Sequence, residues 1–321
     1  QKSFRFRNFG ISDGLSQSSV TTIVQDFQNG LWVGTQDGLN RFDGKSFEVF
    51  TPDETPGLES AYIKCAIIDD NGNIWFGTNN GLTKYDPQKE KFSSYFLKKG
   101  AVFQIETITL AENGNIWVAT TENGLYEFKP SKKSFSSKVA QVPSKKTTHV
   151  KAVDKSNIIV ATANEGLFIL NNRENTARRI TEIDGKPLPI INNIRVERDG
   201  EVLLSTSQGI YTLNLTFAEL TLKFEEWQKT HGVISVSDAC YYDNIGWLIG
   251  TTNKGLYTLY DNGEVYQNTE DIFQKTALLN NAINTLFRDN SGTVWVGSRR
   301  GISNIDPGHQ GIMGVGASAN A

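Results

Sequence analysis

Short apolar segments of four to six residues alternate with polar turns along almost the whole chain, and no stretch sustains a 3.6-residue apolar period. Residues 63–95 show the pattern. A first strand, Ile63-Lys64-Cys65-Ala66-Ile67-Ile68, runs into the polar turn Asp70-Asn71-Gly72-Asn73. A second apolar segment, Ile74-Trp75-Phe76-Gly77-Thr78, is followed by a glycine turn and a third, Leu82-Thr83-Lys84-Tyr85. The alternating Lys91-Phe92-Ser93-Ser94-Tyr95 closes the unit. Four strands joined by tight turns are predicted, with helices excluded as connectors. The one exception is Phe217 to Trp227, which predicts a single short helical turn.

The unit repeats. Leu31-Trp32-Val33-Gly34-Thr35 returns as Ile74-Trp75-Phe76-Gly77-Thr78, Ile116-Trp117-Val118-Ala119-Thr120 and Val294-Trp295-Val296-Gly297-Ser298. Degenerate copies are Ile158-Ile159-Val160-Ala161-Thr162, Val202-Leu203-Leu204-Ser205-Thr206 and Trp247-Leu248-Ile249-Gly250-Thr251. The closing Thr or Ser falls at 35, 78, 120, 162, 206, 251 and 298, in steps of 43, 42, 42, 44, 45 and 47 residues. Seven four-stranded units of this length predict an all-β fold, a seven-bladed β-propeller of antiparallel blades.

The seventh unit lacks an outer strand after Ile305, whereas the chain start alternates as Phe4-Arg5-Phe6-Arg7-Asn8-Phe9. The N-terminal strand is therefore expected to complete the last blade and remove an open edge. This places the propeller at residues 1–307. The small-residue tail, 308–321, reads as the start of a linker. With Gln1 first and Met313 the single methionine, the sequence reads as a processed or excised fragment.

Composition narrows the chemistry. Of 321 residues, 38% are hydrophobic and 21% charged, enough for a large core, and the formal charge of −3 argues against a nucleic-acid surface. No apolar run approaches the 18 residues of a membrane-crossing helix. Cys65 and Cys240, in units two and six, are expected to be unbonded and buried. The histidines His149, His231 and His309 are scattered, so no catalytic residue, metal site or cofactor is expected. Trp32, Trp75, Trp117 and Trp295 share one position and are expected to wedge between blades, while Gly38, Gly81 and Gly301 supply positive φ in the turns that follow. Asp70-Asn71-Gly72-Asn73 reads as a turn rather than a calcium loop.

The unit Ile-Trp-x-Gly-Thr-x-x-Gly-Leu-x-x-Tyr-Asp resembles the regulator-propeller repeat of bacterial hybrid two-component sensors. So do the opening, Phe9-Gly10-Ile11-Ser12-Asp13-Gly14-Leu15, and Asp37-Gly38-Leu39-Asn40-Arg41-Phe42-Asp43-Gly44. Units one, two, three and seven match well; units four and five lack the Trp, and unit six shifts it to Trp247. The resemblance implies the first of two periplasmic propellers, joined to a second propeller of the same chain. A sandwich, a transmembrane helix and a cytoplasmic histidine kinase follow in that family, with homodimerisation in the full-length protein. It also implies a response to oligosaccharides from polysaccharide breakdown, with this part a scaffold or a sensing module and not itself an enzyme. The isolated chain is expected to bind glycan weakly or not at all.

A ligand on this propeller would be expected on the face made by the entering loops and the turns between second and third strands. The loops span 51–60, 97–104, 140–148, 184–191, 228–237 and 270–281, and the turns carry Asp37, Asn80, Glu122, Glu165, Gln208, Lys254, Arg299 and Arg300. Exposed aromatics and bidentate polar groups suit a sugar, which singles out Tyr62, Trp227, Arg299 and Arg300. The Arg299-Arg300 pair would select an acidic sugar or balance Asp13 and Asp37. Two other readings stay open: a protein-interaction propeller outside signalling, and a carbohydrate-active propeller enzyme.

Overall fold

The computed structural model describes residues 4–98, 100–243 and 245–305, and the tail expected to begin a linker lies outside them. Seven four-stranded antiparallel sheets follow one another along the chain as blades. Blades 1 to 6 occupy 20–50, 63–95, 105–137, 147–180, 191–223 and 236–268. Blade 7 combines Ile283–Arg288, Val294–Ser298 and Gly301–Ile305 with Arg7–Phe9 from the chain start. A small hairpin, Glu182–Ile183 with Lys186–Pro187, decorates the passage from blade 4 to blade 5.

The closure expected from the sequence is present but shorter. Only Arg7, Asn8 and Phe9 join the ladder, opposite Asn304, Ser303 and Ile302. Phe4 and Phe6 leave it to fill the core between blades 6 and 7. Their backbone amides donate to Asn268 Oδ1 (3.0 Å) and the Thr276 carbonyl (2.8 Å).

The helix also differs from the expected turn at Phe217 to Trp227. Glu219–Lys223 is the outer strand of blade 5, and the helix is Glu225–His231. Phe224, with φ of 61°, breaks the strand, and the last turn closes on Gly232, whose amide donates to the Gln228 carbonyl.

The motif residues join one blade to the next. In all seven blades the Thr or Ser hydroxyl donates to the carbonyl of the following turn glycine, from Thr35 to Gly38 (2.8 Å) through Ser298 to Gly301 (3.1 Å). Gly301 has φ of 135°, and a Cβ there would sit 2.2 Å from the Phe9 carbonyl oxygen, against the closing strand. The motif glycine Gly77 is small for a different reason: a Cβ would lie 2.6 Å from Ile105, the residue that begins blade 3. Trp32, Trp75, Trp117 and Trp295 are buried between their own blade and the next. Cys65 and Cys240 are both free thiols, each pushed up to about 12 by burial.

Candidate functional site

The four residues picked from sequence do not form one site. Tyr62 enters blade 2, Trp227 lies on the helix between blades 5 and 6, and Arg299 and Arg300 occupy a turn of blade 7. Trp227 is a correction: it is 6% exposed, not a surface platform. Its helix folds it into the blade 5–6 core, edge-on to Tyr257 at 5.3 Å. Arg300 faces Glu270 at 3.9 Å rather than Asp13 or Asp37, and Asp13 instead accepts from the Gly10 amide at 2.8 Å. Arg299 is exposed.

Tyr62 stands at the channel mouth, where a feature invisible in the repeat motif appears. Every first strand carries a β-bulge near its start, at Thr21, Lys64, Glu106, Thr148, Asn192, Ser237 and Asn284. A bulge re-aims a side chain and ends regular pairing. Here the re-aimed groups bridge blades. Thr21, Asn192 and Asn284 donate to the carbonyls of Ile63, Val236 and Val20 at 2.6, 2.7 and 2.7 Å. Lys64 pairs with Glu106 at 2.7 Å beneath the Tyr62 ring, and Thr121 also donates to Glu106. The mouth is polar, and its one charged pair is mutually satisfied.

Along the channel the charge gathers on blades 4 to 7. Asp238 of blade 6, 1% exposed, accepts from Arg195 (3.1 and 2.7 Å), from Asn193 (2.8 Å) and from the amides of Ala239 (2.9 Å) and Leu286 (2.8 Å). Arg195 also donates to the Leu286 carbonyl at 3.0 Å, so three blades meet at one pair. Burial alone would lower the Arg195 pKa, but Asp238 more than offsets it and the guanidinium is held charged. Nearby Lys151 is lowered by burial, reinforced by the like charge of Arg195. His149 is pushed down to about 4 by burial, opposed by a hydrogen bond to the Asn192 backbone and by Glu106.

The largest cavity, about 920 Å³, opens on the opposite face, among the turns that join first and second strands. It lies across blades 5, 6 and 7, with Arg195, Glu197, Trp247, Tyr241 and Arg288 among its walls. A second cavity of about 480 Å³ continues over blades 7 and 1 and shares the wall Asp289-Asn290-Ser291. Burial raises the Glu197 carboxyl pKa, with Arg195 opposing. Sequence reasoning missed this face because it followed the loops of variable length, whereas the cavity walls lie on the turns between first and second strands, which vary little. Trp247 was the available signal: its one-residue shift sends the ring to the other side of the sheet, into the blade 5–6 boundary.

A further constellation was also missed. Asp26, Asp69 and Asp289 each stand six residues before a motif tryptophan and accept its indole N–H at 3.0, 2.8 and 2.8 Å. The same carboxylates accept turn amides, including those of Gly30, Asn73 and Thr293. The stretches that match the two-component regulator propeller model are 14–37, 57–80 and 277–300. Each runs through one of these Asp…Trp pairs into the glycine turn. This chain carries two-component regulator propeller repeats. The repeat of blade 3, which reads Trp-x-Ala-Thr and has Ala111 in place of the aspartate, is outside the matched stretches.

This regulator propeller is 57% identical over 47 residues to a protein named histidine kinase P4 from Formosa agariphila, a match spanning 15% of this chain and 3% of that one. Its fold is similar to the extracellular domain of a hybrid two-component system from B. thetaiotaomicron, with TM-score 0.80 at 21% identity, covering 94% of this chain and 42% of the other. The virginiamycin B lyase of Staphylococcus aureus is similar at TM-score 0.71 and 12% identity over 94% of this chain and 99% of the lyase. At these identities the two solved structures share the fold. The chain spans under half the length of the two-component neighbour and a small part of the kinase. Among the described residues no helix is long and apolar enough to cross a membrane, and no three His, Cys, Asp or Glu side chains gather as a metal site.

Proposed function

We propose that this regulator propeller is a periplasmic module of a two-component sensor, serving as a scaffold or sensing element in a protein that responds to oligosaccharides released from polysaccharides. The observation that carries the reading is the regulator-propeller repeat in blades 1, 2 and 7. The short stretch of 57% identity to a histidine kinase supports it. In this reading a second propeller of the same chain and a homodimeric partner complete the sensor, and kinase chemistry and control of transcription reside elsewhere in it. The propeller itself supplies no catalysis. His149 is buried and held neutral, and the His231 ring is tied to the Trp227 carbonyl at 3.0 Å. General acid–base chemistry would need such groups free and convergent.

The test is autophosphorylation of the full-length protein in membrane vesicles, with neutral and acidic oligosaccharides presented on the ectodomain side. A several-fold change in phosphate incorporation with one glycan class is the expected result. A kinase indifferent to every glycan would overturn the carbohydrate reading, and a full-length gene product without a kinase would overturn the sensor reading itself.

A further inference from the structure

We propose that the groove across blades 5, 6, 7 and 1, on the face of the first-to-second-strand turns, binds an extended, neutral, polyhydroxylated ligand of the oligosaccharide class. This deepens the sensor reading above and rests on it for the ligand's role, though not for the site.

Size comes first. Two cavities of about 920 and 480 Å³ flank the shared wall Asp289-Asn290-Ser291, so an occupant of both must be elongated. Small-ligand sites span roughly 300–1,000 Å³.

Charge decides the class. Each cation of the larger cavity already has a carboxylate: Arg195 pairs with Asp238 (2.7 Å), Lys223 with Glu201 (2.8 Å), and Arg198 and Arg288 share Asp243 (3.2 and 3.4 Å). An anionic ligand would have to displace one of these carboxylates. What the walls offer instead is a close mixture of N–H donors and carboxylate acceptors. Hydroxyl groups, which donate and accept at once, satisfy such a mixture without net charge. Glu197 adds an unmet need: its Oε1 is buried and has no hydrogen-bond partner among the described residues. Buried polar atoms of this kind are ordinarily paired, and a ligand hydroxyl would pair this one.

The aromatic wall points the same way. At the position of Trp247 the other tryptophan-bearing blades have Leu31, Ile74, Ile116 and Val294, all 3% exposed or less. An aliphatic residue therefore suffices for blade packing. Trp247 is only half-buried and lines the cavity with Tyr241. A flat ring beside paired carboxylates and guanidinium groups suits the C–H face of a sugar ring. The expectation of weak or absent glycan binding considered the entering-loop face, where no comparable cavity is found among the described residues.

The test is calorimetric titration of this chain with neutral hexasaccharides (cello-, laminari-, malto-, xylo- and mannohexaose) and with hexagalacturonate. At least one neutral hexasaccharide should bind. Trp247→Ala and Glu197→Gln should each weaken it tenfold or more, while Arg299→Ala with Arg300→Ala leaves it unchanged. Glu197→Gln is nearly isosteric, so it remains decisive if the tryptophan variant misfolds. Binding by none of the neutral probes, preference for hexagalacturonate, or affinity untouched by Glu197→Gln would overturn the proposal. The same probes on the full-length kinase separate the two readings. A phosphorylation response without binding to this propeller removes the groove and keeps the sensor; binding here without a response keeps the groove and removes the sensor role.

Discussion

The boundary between blades 1 and 2 and that between blades 5 and 6 solve one packing problem with different chemistry. At the first, Trp32 is fully buried against Phe50, Tyr85 and Phe76, with ring centroids at 5.3, 4.6 and 5.9 Å, and its indole N–H is held by Asp26. At the second, Leu203 takes the tryptophan's place, and the volume is made up by Trp227 from the inserted helix and by the shifted Trp247. The boundary between blades 6 and 7 repeats the substitution, with Leu248 at the motif position and Phe4 and Phe6 brought in from the chain start. Near the channel, blades 5, 6 and 7 are tied by the Arg195–Asp238 pair, where blades 1 and 2 are joined by one threonine hydroxyl. The regular half is held by aromatic burial and the irregular half by borrowed aromatics and a buried ion pair. The large cavity opens on the irregular half, so departures from the repeat coincide with the place where chemistry is available.

The strongest way to break this contrast is to remove Asp238. Asp238→Ala strands the Arg195 guanidinium and leaves the Leu286 amide without its acceptor. Breaking a buried pair from one side costs about 3–5 kcal/mol, and urea denaturation should register a loss of that size. The joint replacement Arg195→Met with Asp238→Leu should recover most of it, since apolar residues of similar volume substitute well for a buried pair. A loss under about 1 kcal/mol for Asp238→Ala would mean that the irregular half is held by its apolar contacts alone.

Much of the regular half was legible in the sequence, and the irregular half was not, for physical reasons. Trp-x-Gly-Thr followed by a turn glycine encodes blade count, strand order and ring closure, because each residue makes the same bond in every blade. The contents of the irregular half are set by contacts remote in sequence. Phe4 packs on a blade that begins at Val236, and Arg195 meets Asp238 and Leu286. Trp227 looked like a surface aromatic because a seven-residue helix shows too little period to reveal which side is buried. The Asp six residues before each motif tryptophan was readable in three copies, but a turn aspartate has an adequate local role and conceals a second one.

A smaller effect separates the halves by pH. His149, on the first strand of blade 4, titrates at about 4 in the folded protein, below the ordinary value of about 6.5. The unfolded chain therefore binds the extra proton between these values. The stability contributed by the neutral ring is fully present above about 6.5 and is lost as pH falls toward 4, by up to about 3 kcal/mol. Glu197, whose carboxyl is raised by burial, works in the opposite direction. The difference between the protein and His149→Gln isolates the histidine. Its denaturation midpoint should fall less than that of the parent between pH 7 and 4.5. Parallel pH profiles would show that the His149 ring is protonated in the fold without penalty.

The finest test transplants a device within the regular half. Trp117 is fully buried like Trp32, yet its indole nitrogen has no hydrogen-bond partner among the described residues. Blade 3 has Ala111 where blades 1, 2 and 7 have aspartate. The backbone of the turn is nonetheless the same. The Ala111 amide donates to the Asn115 carbonyl and Gly114 donates back to Ala111, both at 2.9 Å, as Asp69 does with Asn73 and Gly72. An aspartate introduced by Ala111→Asp thus meets a turn already shaped for it. It would accept the Trp117 indole N–H as Asp69 accepts that of Trp75. A hydrogen bond to a charged group contributes about 1.5–3 kcal/mol, and partial desolvation of the new carboxylate removes part of that, so a net gain of about 1 kcal/mol is expected. The control is Ala111→Asp in a Trp117→Phe background, where the indole donor is gone and the gain should vanish or reverse. Equal effects in both backgrounds would show that the aspartate acts through the turn amides and that the Asp–Trp bond does not hold the regular blades together.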